Sequence, residues 1–344
     1  MNNASSLVVG AGAIGGVTAA MMADAGVMVT VLDANQEHVA RMRDPGLLVD
    51  DLGEEKQVRL DAHASPETLE GSFEFALVTL KAPHLEVALT PLREKGLVET
   101  FVSLGNGLGQ ERIAGIVGEG RLIWGVVEWG STNVGPGHLA RTTRGPFIIG
   151  EPDGHVKRRT RRLAEALGTV DGANITENIQ GQVWSKLLVN SAFSGLGAVS
   201  GLLYEEVAAD PAGREAALAL WREGYDVGIA QGLELEDVLG VPANALITRS
   251  PEDRDRVDEA LAVAMNQAGA TKASMLQDLE RGLKTEVNVI NGAVVEKGHE
   301  HGVETPLNAR VVELMHAMER GEQRPSRDVF EELQRLAWQR SVEG

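Results

Sequence analysis

Along the first part of the chain, short apolar runs alternate with segments whose apolar residues recur at helical spacing. Residues 7–9 form the first apolar run, residues 10–16 are rich in glycine, and an alanine-rich segment leads to a second apolar run at 27–32. Short apolar runs bounded by turn residues are typical of buried strands, whereas a 3.6-residue period indicates a helix. The pattern therefore predicts a strand, a glycine turn, a helix and a second strand.

Three glycines of this turn follow the spacing G-x-G-x-x-G. Gly10 allows a tight turn out of the strand, Gly12 lets the backbone approach a pyrophosphate, and Gly15 lets the helix pack closely on the strand. The N–H groups at the start of the helix, among them those of Ala13 and Ile14, would then face the phosphates. We predict a dinucleotide-binding turn here, and a turn of purely structural use is the alternative.

A single acidic residue closes the second strand. Asp33 lies eighteen residues after Gly15, and no lysine or arginine follows it before Arg41. A carboxylate at this place can accept hydrogen bonds from both ribose hydroxyls of NAD and would repel the 2′-phosphate of NADP. The sequence therefore favours NAD and leaves NADP as the alternative, unless Asp33 only caps the following helix.

The alternation of strands and helices continues as far as residue 117. Repeated strand–helix units predict a parallel sheet with helices on both faces. From 122 to 150, turn signals at 135–137 and 144–146 separate β-rich pieces, which predicts antiparallel strands added to the edge of that sheet. The elements predicted up to residue 117 are a helix at 36–43, a hairpin at 46–60, strands at 73–80 and 100–104, and helices at 84–95 and 110–117.

Beyond Gly172 almost every segment has the period of a helix. We therefore predict an α/β fold, with an N-terminal Rossmann-type dinucleotide-binding domain at residues 1–170 and an all-α C-terminal domain at residues 171–344. The long helices after residue 205 offer a surface on which two copies of the chain could pair as a homodimer. The helices predicted in the second half of the chain lie at 156–167, 178–190, 205–231, 252–268, 286–299, 306–319 and 328–340.

Composition narrows the class of protein. The 344 residues suit about two domains, and the absence of cysteine excludes a disulfide scaffold and suits a reducing cytoplasm. A net charge of −18 argues against a nucleic-acid partner, whose phosphates need a basic surface. No apolar run approaches the roughly 18 residues of a membrane span, and no segment has the pattern of a signal peptide. We expect a cytoplasmic enzyme that binds small molecules and neither nucleic acid nor membrane.

Two polar residues follow predicted strands directly. Lys81 comes after the strand at 73–80, and Asn106 lies in Gly105-Asn106-Gly107 after the strand at 100–104. In an open parallel sheet the ligand lies beyond the carboxyl ends of the strands, so both residues are candidates for cofactor contacts. The alternatives are a solvated lysine and an asparagine that serves a left-handed turn.

A second group of candidates lies on the helix predicted at 178–190. Lys186, Asn190 and Ser194 are spaced four residues apart, so they share one face while the helix lasts. Lys186 precedes the apolar run at 187–189, and burial lowers the pKa of a lysine toward the value that a general acid needs. The alternative is a lysine whose stem lies along apolar surface with its ammonium in water.

Ser274 and Glu286 form a third group, twelve residues apart. On a straight helix they would be about 18 Å apart, so the chain must bend between them if both contact one small substrate. Gly282 is the expected place for that bend.

A metal site is not expected. His299 and His301 are alternate residues of a predicted helix, where side chains diverge too far to share an ion. We interpret them as a polar helix end.

Six pieces of the chain resemble the ketopantoate reductase (2-dehydropantoate 2-reductase) family in order and spacing. They extend over nearly the whole chain, and the last three are far more specific than the glycine motif. The pieces are GAGAIGG at 10–16, LKA at 80–82, GNGLG at 105–109, WSKLLVN at 184–190, SMLQDLERGLKTEVNVINGAVVEKG at 274–298 and GVETPLN at 302–308.

The resemblance implies a reaction and its catalytic residues. Lys186 would be the general acid that protonates the oxo group of a 2-oxoacid as hydride arrives from the nicotinamide, and Glu286 would bind the substrate hydroxyl and orient Lys186. The product would be a 2-hydroxy acid, which for the family's namesake is (R)-pantoate in pantothenate biosynthesis.

The resemblance also implies binding residues. Lys81 would lie near the cofactor, and Asn106 would lie by the nicotinamide ribose and the active-site lysine, where it would contact both cofactor and substrate. Asn190 and Ser194 would belong to the substrate pocket, with Ser274 at the carboxylate end of the substrate.

Two departures from the family pattern concern specificity. Members with the namesake activity commonly carry a second asparagine followed by proline where this chain has Ser194 and Gly195. Serine has a shorter reach and fewer hydrogen-bonding groups than asparagine, so the pocket suits a different acid as well. Asp33 is the other departure, because the namesake enzymes mostly use NADPH.

Three alternatives accompany this interpretation. The nearest is an NAD-dependent D-2-hydroxyacid dehydrogenase for another branched or aromatic acid. An opine-type dehydrogenase shares the two-domain plan but relies on a His–Asp pair, and the sequence has no such motif. A non-catalytic nucleotide-sensing protein would be expected to lose Lys186 or Glu286, and both are present.

Overall fold

The structure is a computed structural model, which describes residues 5–343. The chain divides into two compact units, Met1–Gly105 with Gly109–Ile179 and Asn106–Leu108 with Gln180–Gly344. The division after Ile179 lies nine residues beyond the predicted domain boundary at 170, because a short strand at Ala173–Ile175 still pairs within the sheet of the first unit.

Two sheets organise the first unit. Within the described residues, eight strands form one sheet in the order β5-β2-β1-β6-β7-β8-β11-β12, and four form a second sheet in the order β4-β3-β10-β9. The strands are β1 (Ser6–Val9), β2 (Val29–Leu32), β3 (Leu47–Asp51), β4 (Glu54–Val58), β5 (Asp61–His63), β6 (Phe73–Val78), β7 (Val98–Ser103), β8 (Leu122–Val127), β9 (Ser131–Gly135), β10 (His138–Arg141), β11 (Phe147–Gly150) and β12 (Ala173–Ile175).

The large sheet confirms the predicted Rossmann-type fold. Strands β5, β2, β1, β6, β7 and β8 are all parallel, and the chain order reverses direction between β1 and β6, which is the doubly wound arrangement. Leu7, Phe75 and Phe101 are fully buried, as expected for parallel strands covered on both faces. The helices of this unit are α1 (Ala13–Asp24), α2 (Gln36–Arg41), α3 (Leu85–Glu94), α4 (Gln110–Val117) and α5 (Arg158–Asp171).

The strands between 122 and 150 depart from the prediction. In the large sheet β8 is parallel to β7 and β11 is antiparallel to β8, whereas β9 and β10 pair antiparallel with each other and join the β3–β4 hairpin in the small sheet. The prediction that the whole segment extends the edge of the main sheet is therefore wrong. On β10, Leu139 is fully buried, and a Cβ added to Gly16 of α1 would collide with its side chain. This contact joins residues far apart in sequence, so local patterning does not reveal it.

The second unit is helical and its core is aromatic. Phe193 packs between Tyr204 and Trp221, with ring centroids 5.8 and 6.4 Å away. The indole N–H of Trp184 donates to the carbonyl of Gly224 at 2.9 Å, which satisfies a buried polar group inside this core. The helices are α6 (Ile179–Val189), α7 (Gly195–Ser200), α8 (Tyr204–Ala209), α9 (Pro211–Ala230), α10 (Arg254–Ala268), α11 (Ser274–Glu280), α12 (Asn291–His301), α13 (Pro306–Glu319) and α14 (Val329–Glu343).

The single long helix predicted at 205–231 is two helices in the structure. The segment 205–231 breaks between α8 and α9, because Asp210 caps the second helix by accepting from the N–H groups of Ala212 and Gly213 at 2.9 and 3.0 Å. Pro211 occupies the first turn of α9, where its missing N–H costs nothing.

No helix between residues 5 and 343 is both long enough and apolar enough to cross a membrane. Over the same residues, no group of three or more histidine, aspartate or glutamate side chains could hold a metal ion.

Candidate functional site

The glycine turn after β1 has the close contacts that its three glycines predict. Gly10 has a φ of +93°, and a Cβ on it would lie 2.7 Å from Cδ2 of Leu80. A Cβ on Gly15 would collide with the carbonyl oxygen of Gly10 and the hydroxyl of Thr79. A Cβ on Gly12 would instead meet no heavy atom within 4 Å. The first and third glycines therefore serve packing, and the second leaves open space beside the backbone.

The start of α1 is open in the same way. The Gly16 N–H donates to the carbonyl of Gly12 at 2.8 Å, so the N–H groups of Ala13, Ile14 and Gly15 precede the first intrahelical bond. Neither a side-chain cap nor an acidic residue occupies the first turn of this helix. Free N–H groups at the positive end of a helix, with no side chain over Gly12, fit the pyrophosphate of a dinucleotide.

Asp33 is bonded to the glycine turn itself. Its Oδ2 accepts from the Ala11 N–H at 2.7 Å, and its Oδ1 accepts from the Asn35 N–H at 2.8 Å. The cap of α2 is Asn35, whose side chain accepts from the His38 N–H, so Asp33 is not the helix cap that the sequence left open as an alternative. The half-buried Asp33 carboxylate keeps further lone pairs for hydroxyl groups.

Lys81 and Asn106 lie in different surroundings. Lys81 is half-buried after β6, where its carbonyl accepts from His84 and begins a short 3₁₀ turn. Asn106 is half-buried in the second unit, and its Nδ2 donates to Oε2 of Glu286 at 3.4 Å. Gly107, with a φ of +71°, supplies the left-handed residue of the turn. The side chain of Asn106 therefore serves Glu286, and the left-handed conformation belongs to its neighbour.

The loop that carries Asn106 lies directly against the segment that follows Glu286. The Leu108 N–H donates to the carbonyl of Val289 at 2.8 Å, and a Cβ on Gly107 would collide with that same carbonyl oxygen. Glycine at 107 is what allows the two backbones to come this close. The structure thus brings Asn106 and Glu286 together, a contact that the sequence analysis did not predict.

Lys186, Asn190 and Ser194 differ in their exposure. Lys186 and Asn190 are half-buried, but the helix becomes a π turn over Asn190–Ser194, and Ser194 is 2% exposed. Burial raises the pKa of Tyr204 to about 12, and the phenol, neutral at physiological pH, hydrogen-bonds with the Ser194 hydroxyl. Ser194 is therefore buried in the core, and the regular helix, on which the shared face was conditional, ends before it.

The bend predicted between Ser274 and Glu286 is present. Ser274 is the exposed first residue of α11, which ends at Glu280, and Gly282 follows with a φ of +66°. Glu286 is half-buried and precedes a 3₁₀ turn at Val287–Val289. The helix predicted from 286 begins only at Asn291, so Glu286 lies on an irregular segment.

That irregular segment is held by the end of α13. Glu319 accepts from both the N–H and the hydroxyl of Thr285 at 2.8 Å, and His316 connects Glu319 to Oδ1 of Asn288 through contacts of 3.1 and 2.9 Å. Burial acts to raise the pKa of Glu319, but hydrogen bonds from Thr285, His316 and Lys284 bring it below its ordinary value. An ionised Glu319 thus fixes the residues on both sides of Glu286.

A buried polar chain that the sequence interpretation missed reaches the π turn. Glu223 accepts from the N–H groups of Leu307 and Asn308 at 3.0 Å each and from Nδ2 of Asn308 at 2.8 Å. Oδ1 of Asn308 accepts from Nδ2 of Asn291, which also donates to the carbonyl of Ser191, both at 2.9 Å. The sequence signal for this hydrogen-bonded network was Glu223, a charged residue on an otherwise apolar face of its helix.

The first unit carries a turn shaped for a pyrophosphate, and the helical second unit carries a lysine and a carboxylate. Together these features define a class of proteins. These are dinucleotide-dependent oxidoreductases with an α-helical C-terminal domain. Residues 6–154 match the family described as ketopantoate reductase PanE/ApbA, and residues 178–319 match its C-terminal counterpart. The chain belongs to the ketopantoate reductase family, which confirms the resemblance drawn from its motifs.

Individual relatives cover almost all of the chain. The 2-dehydropantoate 2-reductase of Archaeoglobus fulgidus is 30% identical over 317 residues, which are 91% of this chain and 97% of that protein. The solved 2-dehydropantoate 2-reductase of Methylococcus capsulatus is 25% identical, with a TM-score of 0.73 over 92% of this chain and 97% of that one. A ternary structure of D-mandelate dehydrogenase with NADH and anilino(oxo)acetate shares the fold, at a TM-score of 0.79 and 23% identity over 92% of this chain and 99% of that one.

Proposed function

We propose that this protein is a nicotinamide-dependent 2-oxoacid reductase that converts ketopantoate to (R)-pantoate, as its relatives' name of 2-dehydropantoate 2-reductase suggests. The observation that carries the proposal is the hydrogen bond from Asn106 to Glu286, because it joins two of the residues to which the family resemblance assigns the substrate end of the site. Lys186, the proposed acid, lies on a helix of the same unit.

The proposed roles follow from the surroundings of each residue. A bound nicotinamide would supply the hydride to the carbonyl carbon. Lys186 is half-buried beside buried residues 187–189, and its ammonium would hold the proton that the carbonyl oxygen receives. Glu286, oriented by Asn106, would accept from the substrate hydroxyl. Asn190 and Ser274 remain proposed substrate contacts, and Lys81 a proposed cofactor contact.

We infer that NAD is the preferred cofactor. Gly12 and the start of α1 would hold the pyrophosphate, and the Asp33 carboxylate would accept from ribose hydroxyls while bonded to the Ala11 N–H. A negative charge at this place opposes the 2′-phosphate of NADP. The homodimer and the cytoplasmic location predicted from the sequence stay predictions.

Asp33→Asn tests this preference. Asparagine keeps an acceptor oxygen and the shape of the side chain but removes the charge, so the ratio of the Kd for NADPH to the Kd for NADH should fall about tenfold or more. The two constants can be measured by fluorescence titration. Asp24→Asn, at the other end of α1, removes one exposed charge and serves as the control. An unchanged ratio would reject the role given to Asp33.

The activity itself is tested with a panel of substrates. Oxidation of NADH and NADPH should be followed with ketopantoate and with a series of branched and aromatic 2-oxoacids. We expect turnover with NADH and the highest kcat/KM for ketopantoate. A protein that binds NADH tightly and reduces none of these acids would show that the proposed function is wrong.

A second candidate is an NAD-dependent D-2-hydroxyacid dehydrogenase for another branched or aromatic acid. It is favoured by the absence of the second asparagine that namesake enzymes commonly carry, because the Ser194 side chain is buried against Tyr204 and supplies the pocket with no amide. The same panel separates the two candidates, because this one predicts a higher kcat/KM for a bulky 2-oxoacid than for ketopantoate.

A further inference from the structure

The peptide groups on either side of Ala11, in the middle of the glycine turn, are bonded by side chains. In the peptide between residues 10 and 11, the Gly10 carbonyl accepts from the Thr79 hydroxyl at 2.5 Å and the Ala11 N–H donates to Asp33 at 2.7 Å. In the next peptide, the Ala11 carbonyl is bonded to Nε2 of His38 at 2.8 Å. Ala11 is fully buried and His38 is 3% exposed.

The hydrogen bonds of His38 fix its tautomer. The Gly137 N–H donates to Nδ1 at 2.8 Å, and because a backbone N–H can only donate, Nδ1 must carry a lone pair. The ring proton therefore lies on Nε2, which donates it to the Ala11 carbonyl. His38 is neutral in this arrangement, with one donor and one acceptor both in use.

The partner on the far side of the ring is itself fixed. Gly137 lies in the turn between β9 and β10, and its carbonyl accepts from the Leu48 N–H of β3 at 2.9 Å. Its φ is +75°, and a Cβ there would lie 2.6 Å from the side chain of Arg41. The Ala11 carbonyl is thus connected through His38 to the hydrogen-bonded turn between β9 and β10 in the small sheet.

Peptide geometry gives this connection a consequence for ligand binding. The peptide group is planar and trans, so its C=O and N–H point in opposite directions. The bond from His38 to the Ala11 carbonyl therefore orients the Gly12 N–H, which belongs to the same peptide and points away from the ring. Gly12 is the residue beside which a Cβ would meet no atom within 4 Å.

We propose that His38 is a positioning residue for the dinucleotide, which acts by holding the Ala11–Gly12 peptide so that the Gly12 N–H is presented to the pyrophosphate. The inference rests on the proposed function, because it presumes that a dinucleotide binds at this turn. His38 contacts the backbone rather than the ligand, so its effect falls on cofactor affinity and leaves the chemical step alone.

Two substitutions test the two hydrogen bonds of His38 separately. In His38→Asn the amide oxygen can take the place of Nδ1 toward Gly137, but no donor reaches the Ala11 carbonyl. In His38→Gln the longer amide carries a donor and an acceptor about as far apart as the two ring nitrogens, so both bonds can form. His155→Asn, an exposed histidine of the same unit, is the matched control.

The experiment is a titration of each purified full-length protein with NADH, without substrate, followed by steady-state kinetics. We expect the Kd for NADH to rise about tenfold in His38→Asn and to stay within about threefold of the unsubstituted protein in His38→Gln and His155→Asn. At saturating NADH, kcat should stay within about twofold in all three, a split between affinity and turnover that general loss of structure would not produce.

The outcomes distinguish failure of the role proposed for His38 from failure of the proposed function. An unchanged Kd for NADH in a folded His38→Asn protein would overturn the inference. A folded His38→Gln protein would also overturn it if its Kd for NADH equals that of the asparagine variant or is about tenfold above that of the unsubstituted protein. If the asparagine variant does not fold, His38→Gln alone still decides by this second criterion. If the unsubstituted protein binds neither NADH nor NADPH, the proposed function fails and this inference with it.

Discussion

Replacing Lys186 by alanine is expected to lower kcat about a thousandfold, while the Kd for NADH changes by less than about threefold. Lys186 is half-buried on α6 and residues 187–189 beside it are buried, so the substitution removes an ammonium group without opening the core. The loss should fall on turnover because the proton is needed only as the carbonyl is reduced. Steady-state reduction of a 2-oxoacid, together with NADH titration, measures both quantities.

Lys186→Arg sharpens the test. Arginine keeps the positive charge but does not release its proton at physiological pH, so this variant should be nearly as inactive as the alanine variant if Lys186 is the acid. Lys297→Ala, which removes a lysine paired with Glu300 on α12, is the control and should keep its activity. Substantial turnover by Lys186→Arg would mean that the residue contributes charge and no proton.

Glu223→Leu is expected to lower the free energy of unfolding by about 3–5 kcal/mol, because it leaves buried N–H donors without their acceptor. Glu223 is 8% exposed, and its carboxylate accepts three hydrogen bonds from residues at the start of α13. Its negative charge also lies at the positive end of that helix, which adds to its stabilising effect. Urea unfolding followed by circular dichroism measures the change.

A matched control lies on the same helix. Glu215 is exposed on α9, so Glu215→Leu should change the free energy of unfolding by less than about 0.5 kcal/mol. Glu223→Gln keeps one acceptor oxygen but turns an amide N–H toward backbone donors, and its stability should lie between those of the other two variants. A loss below about 1 kcal/mol in Glu223→Leu would contradict the role of this carboxylate.

Much of the fold could be predicted from sequence because its determinants are local. The helix predicted at 306–319 is α13 to the residue, since Pro306 suits the first turn of a helix. The helix at 110–117 is α4, which ends before Gly118 with a φ of +96°. The glycine turn and the bend at Gly282 were predictable for the same reason, because a glycine marks a backbone conformation directly.

The features that escaped prediction depend on partners distant in the chain. The pairing of β10 with β3 follows from which strand edge is open in the folded unit, and spacing along the chain does not encode that. The polar residues Glu223 and Asn291 have partners 84 and 17 residues away, at Leu307 and Asn308. Position and spacing pointed to Lys186, Asn106 and Glu286, and the likeness to a known family implied their roles, but the hydrogen bond between Asn106 and Glu286 needed coordinates.

The π turn at Asn190–Ser194 matters for how this protein is compared with its relatives. A π turn closes its hydrogen bonds over five residues where an α turn uses four, so it accommodates one extra residue without changing the helices on either side. If a relative lacks the π turn, an alignment of the two sequences without a gap is therefore displaced by one position on one side of the turn. Ser194 and the second asparagine of a relative can share a column in such an alignment and still occupy different places. Substrate preference in this family should accordingly be inferred from superposed pockets, with the turn itself treated as an insertion.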